Sequence, residues 1–285
     1  MITLTKGVTK VAINELGAEI KSFTVNGVDY IWKGDPDVWA RSAPNIFPMT
    51  GGFRDDKYIL NGKEYHMPKH GFALNSMFEV ESRSETEAVF VLRENEETKK
   101  VWPYDFEFRV CYKLNDGKLI VDYRVINKSN SKMWFSVGSH DGFSTPEGIE
   151  EYDIVFPGKE TLSSYTLFGN LIGEDKTGII EDTDTLPLKY DYFAVDALVF
   201  KDVKSESCKL INRNTGRGIQ LDFPKFPVLM LWTKPGAKYI CIEPWFGAPD
   251  DVNSNYQIAE KFAIQSVEAG ETFTCTRTIT ALEGK

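Results

Sequence analysis

The sequence predicts an all-β protein, and three observations carry the prediction. Apolar and polar residues alternate along many short runs, Gly-centred turns separate those runs, and helical periodicity is almost absent. Many short strands with turns at regular intervals make a sandwich or a barrel the expected architecture.

The elements follow in chain order. Val25-Asn26-Gly27-Val28 and Leu60-Asn61-Gly62-Lys63 each place Asn-Gly, the tight hairpin signal, between strand-like runs. Phe106 to Leu114 alternates with the period of a half-buried strand, Asn115-Asp116-Gly117 turns the chain, and Leu119 to Val125 resumes the alternation. Met133 to Gly138 follows the polar turn Asn127–Lys132 and reads as the third strand of an antiparallel meander. Glu268 to Glu271 turns the chain into a last strand, Thr272 to Ala281. Short helices are expected only near Pro36–Ala40 and Val252–Gln257. The acidic stretch Gly173–Thr185 reads as a long loop. No repeat, linker or low-complexity tract marks a boundary, so residues 1–285 are expected to form a single domain.

Composition narrows the function. The 285 residues are 42% hydrophobic and 26% charged, an ordinary globular balance. A chain of this length buries a sufficient core without staples. The formal charge of −9 repels phosphate backbones and anionic membranes, which argues against nucleic-acid and membrane partners. No run of about eighteen apolar residues occurs, and MITLTKGVTK lacks the apolar core of a secretory signal. A cytoplasmic location is the expectation. Cys111, Cys208, Cys241 and Cys275 form no Cys-x-x-Cys pair and read as small core residues rather than a disulfide framework or zinc site.

Only three histidines, His66, His70 and His140, are available for acid–base work near neutral pH. His66 and His70 have the i, i+4 spacing of a helical zinc pair, but Pro68 between them opposes a helix and no third ligand motif follows, so no metal is expected. Ser139-His140-Asp141 cannot be a triad, because neighbours on an extended strand point to opposite faces. On that strand Ser136, Gly138 and His140 share a face, and the two small side chains leave room for a ligand beside the imidazole. The competing reading is a histidine that caps a strand end. Along Tyr239 to Trp245, Glu243 shares a face with Tyr239 and Cys241 and ends an otherwise apolar strand, so it requires a partner. A structural ion pair and a sugar site beside the Trp245 ring both satisfy that requirement. His70-Gly71-Phe72-Ala73 presents His70 at a loop edge.

Together these segments resemble the aldose 1-epimerase (galactose mutarotase) superfamily, in particular its LacX-like branch. The shared motifs run in order along nearly the whole chain: Gly17-Ala-Glu19, Trp39-x5-Asn45-Ile-Phe47-Pro48, His70-Gly-Phe-Ala73, Val125-Ile-Asn127 onward to His140, Phe143, Leu231-Trp232-Thr-Lys-Pro235 and Ile242-Glu-Pro-Trp245. The resemblance implies a large antiparallel β-sandwich of the galactose mutarotase-like supersandwich type, interconverting sugar anomers without a cofactor or metal. By motif, it implies Glu243 as the general base on the C1 hydroxyl and His140 as the general acid on the ring oxygen. It makes His70 a sugar-orienting residue. It also makes the partner a small-molecule sugar, met by a monomer or weak homodimer.

The chain departs from that pattern. Relatives carry Gly-Arg where Gly51-Gly52 stands and an arginine where Leu74 stands; Arg54 is the candidate substitute in hydroxyl binding, against a solvated turn arginine. Asp196 is a second candidate for sugar binding, against a turn-capping role, and Trp245 is expected as the ring platform. A hexose-6-phosphate epimerase of the same fold would need a converging Arg/Lys cluster. A non-catalytic carbohydrate-binding protein would need the aromatic platform but not both His140 and Glu243.

Overall fold

A computed structural model describes residues 1–285. Its main feature is a nine-stranded antiparallel sheet. From one edge to the other run Leu171–Pro187, Tyr152–Phe168, Ser207–Asn212, Arg217–Asp222, Thr272–Glu283, Lys118–Asn127, Phe106–Asn115, Glu87–Arg93 and Glu79–Arg83. A six-stranded sheet contains Leu198–Phe200, Val228–Trp232, Tyr239–Phe246, Val137–Ser139 and Asn45–Ile46, with Asp141–Ser144 also paired to Tyr239–Phe246. A smaller sheet of four strands forms from Ile2–Lys6 to Val28–Asp29. One hydrophobic cluster of 61 residues, from Ile2 to Ile279, joins the sheets.

The alternating runs become strands with the expected faces. Phe106, Phe108, Val110, Tyr112 and Leu114 are buried while their neighbours are not, and Asn115 pairs with Lys118 across the turn. Both Asn-Gly turns close hairpins, with Val25 opposite Val28 and Leu60 opposite Lys63. The final strand occupies Thr272–Glu283.

Three local expectations are corrected. The stretch Gly173–Thr185 is not a loop: it is most of the outer arm of a hairpin with 17 residues in each strand. Most of that arm stands clear of the core, so its strand is held by backbone pairing with no apolar face to reveal a period of two. Met133–Gly138 does not extend the meander. Lys118–Asn127 instead pairs with the C-terminal strand, while Met133–Phe135 pairs with Gln265–Val267 and Val137–Ser139 enters the six-stranded sheet. The stretches 36–40 and 252–257 are turns and irregular chain. The α-helix is Glu96–Val101, started by a reciprocal cap in which Thr98 N–H donates to Asn95 Oδ1 and Asn95 N–H to Thr98 Oγ1, both at 2.9 Å. No helix is long and apolar enough to cross a membrane. All four cysteines are free, with Cys208, Cys241 and Cys275 buried and Cys111 half-buried.

Candidate active site

The strand Tyr239–Phe246 separates the main core from an open cavity of about 630 Å³. Ile240 and Ile242 point into the main core, whereas Glu243 and Trp245 line the cavity. Their neighbours on Val228–Trp232 follow the same register: Met230 lies opposite Glu243, Trp232 opposite Cys241, and both reach the cavity wall. A mostly apolar floor with few polar groups is the usual composition of a small-molecule site.

Glycine lets the neighbouring strand approach this floor. At Gly138, opposite Trp245, a Cβ would lie 2.4 Å from the indole Cδ1, so any larger residue would collide with the ring. The Trp245 N–H donates to the Ser139 carbonyl at 2.9 Å, which locks the ring and commits its only donor. The next residue, His140, leaves the strand with its N–H on the Pro44 carbonyl. Its Nδ1 stands 3.4 Å from Glu243 Oε1.

His70 arrives from a different segment. His70 and Gly71 both have left-handed backbone, φ 66° and 67°, and a Cβ at Gly71 would lie 2.5 Å from the Phe47 carbonyl oxygen. The strained turn is clamped by His70 N–H on the Gly51 carbonyl at 2.8 Å. Gly51 N–H in turn donates to His70 Nδ1 at 3.3 Å. With Nδ1 accepting, the neutral imidazole carries its proton on Nε2, so the ring offers a donor. The His70 and His140 rings are 5.7 Å apart, edge to face, and His70 is 5.6 Å from Trp245. Trp39 lies 5.0 Å from His140 on another side, and Trp232 meets His140 edge-on at 5.6 Å.

The electrostatics follow from burial. Glu243 is 1% exposed, and desolvation holds its carboxyl well above the ordinary range; the Lys69 charge opposes the rise, and Asp141 and Asp196 add smaller contributions to it. Desolvation pushes His140 down to about 3, assisted by the Lys69 charge. Desolvation likewise holds His70 well below its ordinary value, with His140 and Lys69 contributing. Burial thus favours the uncharged form of each of the three groups. This reverses the proton placement that ordinary pKa values predict for a carboxylate base and an imidazolium acid.

Buried polar groups support the wall. Asn45 Nδ2 donates to the Gly17 and Ala18 carbonyls and to Tyr112 Oη, while its Oδ1 accepts from Tyr123 at 2.7 Å. Glu19 Oε1 accepts from the Ser42 and Ala43 N–H groups and thereby fixes the segment that carries Trp39. Beneath His140, Asp141 pairs with Arg277 at 3.0 Å, both side chains fully buried.

Of the residues singled out from the sequence, Glu243, His140, His70, Trp245 and Asp196 line one cavity. Asp196 Oδ1 also accepts from Ala197 N–H at 2.8 Å, the turn-capping contact. Arg54 does not line it. Its guanidinium donates to the Ser254 carbonyl at 3.1 Å and lies over the Tyr256 ring, because the short turn that carries it projects outward. His66 is exposed, far from a paired role with His70, and faces Glu64. Donor atoms of His140, Cys241 and Glu243 lie within 4.8 Å of one another, but Cys241 is packed among Trp32, Trp39 and Trp232 and does not line the cavity. Sequence reasoning missed Arg41, Lys69, Asn170 and Lys234, which also line the cavity. Charged or amide residues in turns carry no periodic signal, and only the fold reveals where they point.

A family model described as aldose 1-epimerase matches residues 1–280. The chain belongs to the aldose 1-epimerase family. The plasmid-encoded LacX protein of Lactococcus lactis subsp. lactis is 31% identical over 272 residues, covering 90% of this chain and 91% of that protein. A galactose mutarotase related enzyme from Lactobacillus acidophilus superposes with a TM-score of 0.92 at 30% identity, covering 100% of this chain and 98% of that one. A galactose mutarotase-like protein from Lactobacillus casei gives 0.93 at 28% identity, over 99% of this chain and 100% of that one. The fold is thus the galactose mutarotase-like sandwich of this family.

Proposed function

We propose that this family member is a mutarotase, interconverting the α- and β-anomers of a hexose or modified hexose. The observation that carries the reading is the His140–Glu243 pair, 3.4 Å apart on the floor of an open, aromatic-walled cavity. Anomer exchange needs one group to remove the O1 proton and another to protonate O5. As those transfers occur, the C1–O5 bond breaks and C1 becomes an aldehyde carbonyl. Rotation about C1–C2 and reclosure, with both protons returned, give the other anomer. In this reading Glu243 is the base and His140 the acid. Sugar hydroxyls that hydrogen-bond the pair would stabilise its charged form, a Glu243 carboxylate beside a His140 imidazolium, against the effect of burial. His70, with a donor on Nε2, orients the ring.

A binding protein has no need of both titratable groups on one floor. NMR exchange measurements on α-glucose and α-galactose test the point. Glu243→Gln and His140→Asn are each expected to lower kcat by about 10²–10⁴-fold. Undiminished exchange in both variants would remove the pair from the mechanism, and sugar binding without exchange in the wild type would favour the binding-protein reading.

One observation favours a second reading, an anionic sugar such as a hexose 6-phosphate. Arg41, Lys69 and Lys234 all line the cavity of a chain whose net charge is −9. Arg41 is partly engaged, with Nη1 on the Leu74 carbonyl at 2.8 Å. A kcat/KM for glucose 6-phosphate at least tenfold above that for glucose would select this substrate class. Equal values would leave the neutral hexose.

A further inference from the structure

The long hairpin Tyr152–Phe168 and Leu171–Pro187 ends at the cavity, where Leu167, Gly169 and Asn170 form part of the wall. Its tip is anchored. Leu167 and Ile172 belong to the apolar cluster that contains Ile46, Met230 and Trp245. The Ile172 N–H donates to the Asp250 carbonyl at 2.8 Å, and its own carbonyl accepts from Val252 N–H at 2.9 Å. Gly52 shapes the opposite side of this junction: a Cβ there would lie 3.2 Å from Asn170 Cβ and 3.9 Å from its Cγ. The missing side chain at position 52 thus makes room for the asparagine, beside the Gly51 backbone that clamps His70.

Asn170 is exposed, and the left-handed turn residue at the tip is Gly169, φ 58°, so the turn makes no demand on the Asn170 side chain. A carboxamide both donates and accepts, which suits a pair of adjacent ring hydroxyls. We propose that Asn170 is a specificity-determining residue: it hydrogen-bonds hydroxyls of the sugar at a distance from the reacting C1–O5 edge, and Gly52 is its counterpart that allows it to sit there. The inference rests on reading the cavity as a sugar site.

The test uses the full-length chain with Asn170→Ala and Gly52→Ala. Anomer exchange is followed by NMR on glucose, galactose and glucose 6-phosphate, with the Asn170 side-chain amide signals followed as each sugar is added. Loss of one net hydrogen bond is expected to raise KM about 5- to 10-fold in Asn170→Ala, with kcat changed less than about twofold and the glucose/galactose preference altered. Gly52→Ala, which displaces the tip by a few tenths of an ångström, is expected to raise KM in the same direction. A KM within about twofold of wild type for every sugar, with unmoved Asn170 amide signals, overturns the proposal and leaves the mutarotase reading intact. If the wild type binds sugar without exchanging anomers, that reading fails, and the amide signals alone decide the role of Asn170. Failure to bind any of the three sugars overturns it too.

Discussion

Burial sets two opposite demands on the residues at the cavity floor. Glu243 keeps its proton in the fold at pH values where the unfolded chain has released it, so this group's contribution to stability is lost as pH rises above its ordinary 4.5. His140 resists protonation in the fold, so its contribution is present above its ordinary 6.5 and is lost as pH falls from there toward about 3. His70 adds to the acid-side loss. Glu243→Gln removes the neutral-side penalty while keeping the shape. It is expected to raise Tm at pH 7–8 by about 2 °C or more, read by calorimetry, even as it lowers exchange activity. A Tm unchanged or lowered at pH 8 would mean that the carboxyl is not held protonated. The same inventory predicts an infrared carboxylic-acid band in the unliganded protein, absent from Glu243→Gln, that weakens when sugar binds. A band that stays constant on binding would place the working proton elsewhere.

At the scale of elements, the site depends on how closely the strand Val137–Ser139 approaches Tyr239–Phe246. Gly138→Ala inserts a methyl group 2.4 Å from the Trp245 ring, and overpacking of this kind costs about 1–3 kcal/mol. Denaturant titration is expected to show that loss, with kcat lowered because His140 follows two residues later on the same segment. Unchanged stability would show that the indole has room to turn. The strands beside the site were legible because alternation survives wherever one face is buried: the placement of Ile240 and Ile242 opposite Glu243 and Trp245 could be read directly from Tyr239 to Trp245. The arm Leu171–Pro187 was illegible for the converse reason, since exposure on both faces erases the pattern. Partner choice was also hidden. Nothing local in Met133–Gly138 says that it divides between two sheets, because long-range pairing is decided by the whole chain.

For the whole molecule, the convergence of residues 70, 140 and 243 was implied by the family resemblance and not by any one segment, while the support under them was not legible. Glu19, Asn45 and the Asp141–Arg277 pair come from segments far apart in sequence, and only the packed sheets bring them together. Removing one partner of a fully buried ion pair strands the other, so Arg277→Met is expected to cost about 3–5 kcal/mol in chemical denaturation. A loss below about 1 kcal/mol would mean that Asp141 is readily neutralised in place. The outer edges of the nine-stranded sheet have a further consequence. One is Leu171–Pro187, with Glu174, Asp175, Lys176, Glu181, Asp182 and Asp184; the other is the short, charged Glu79–Arg83. Each leaves backbone groups without a neighbouring strand, the arrangement by which sheets of separate molecules join into aggregates. Dense charge makes such joining unfavourable, so the acidic arm protects solubility, and exchanging its acids for valines would turn the same ribbon into a template for fibrils.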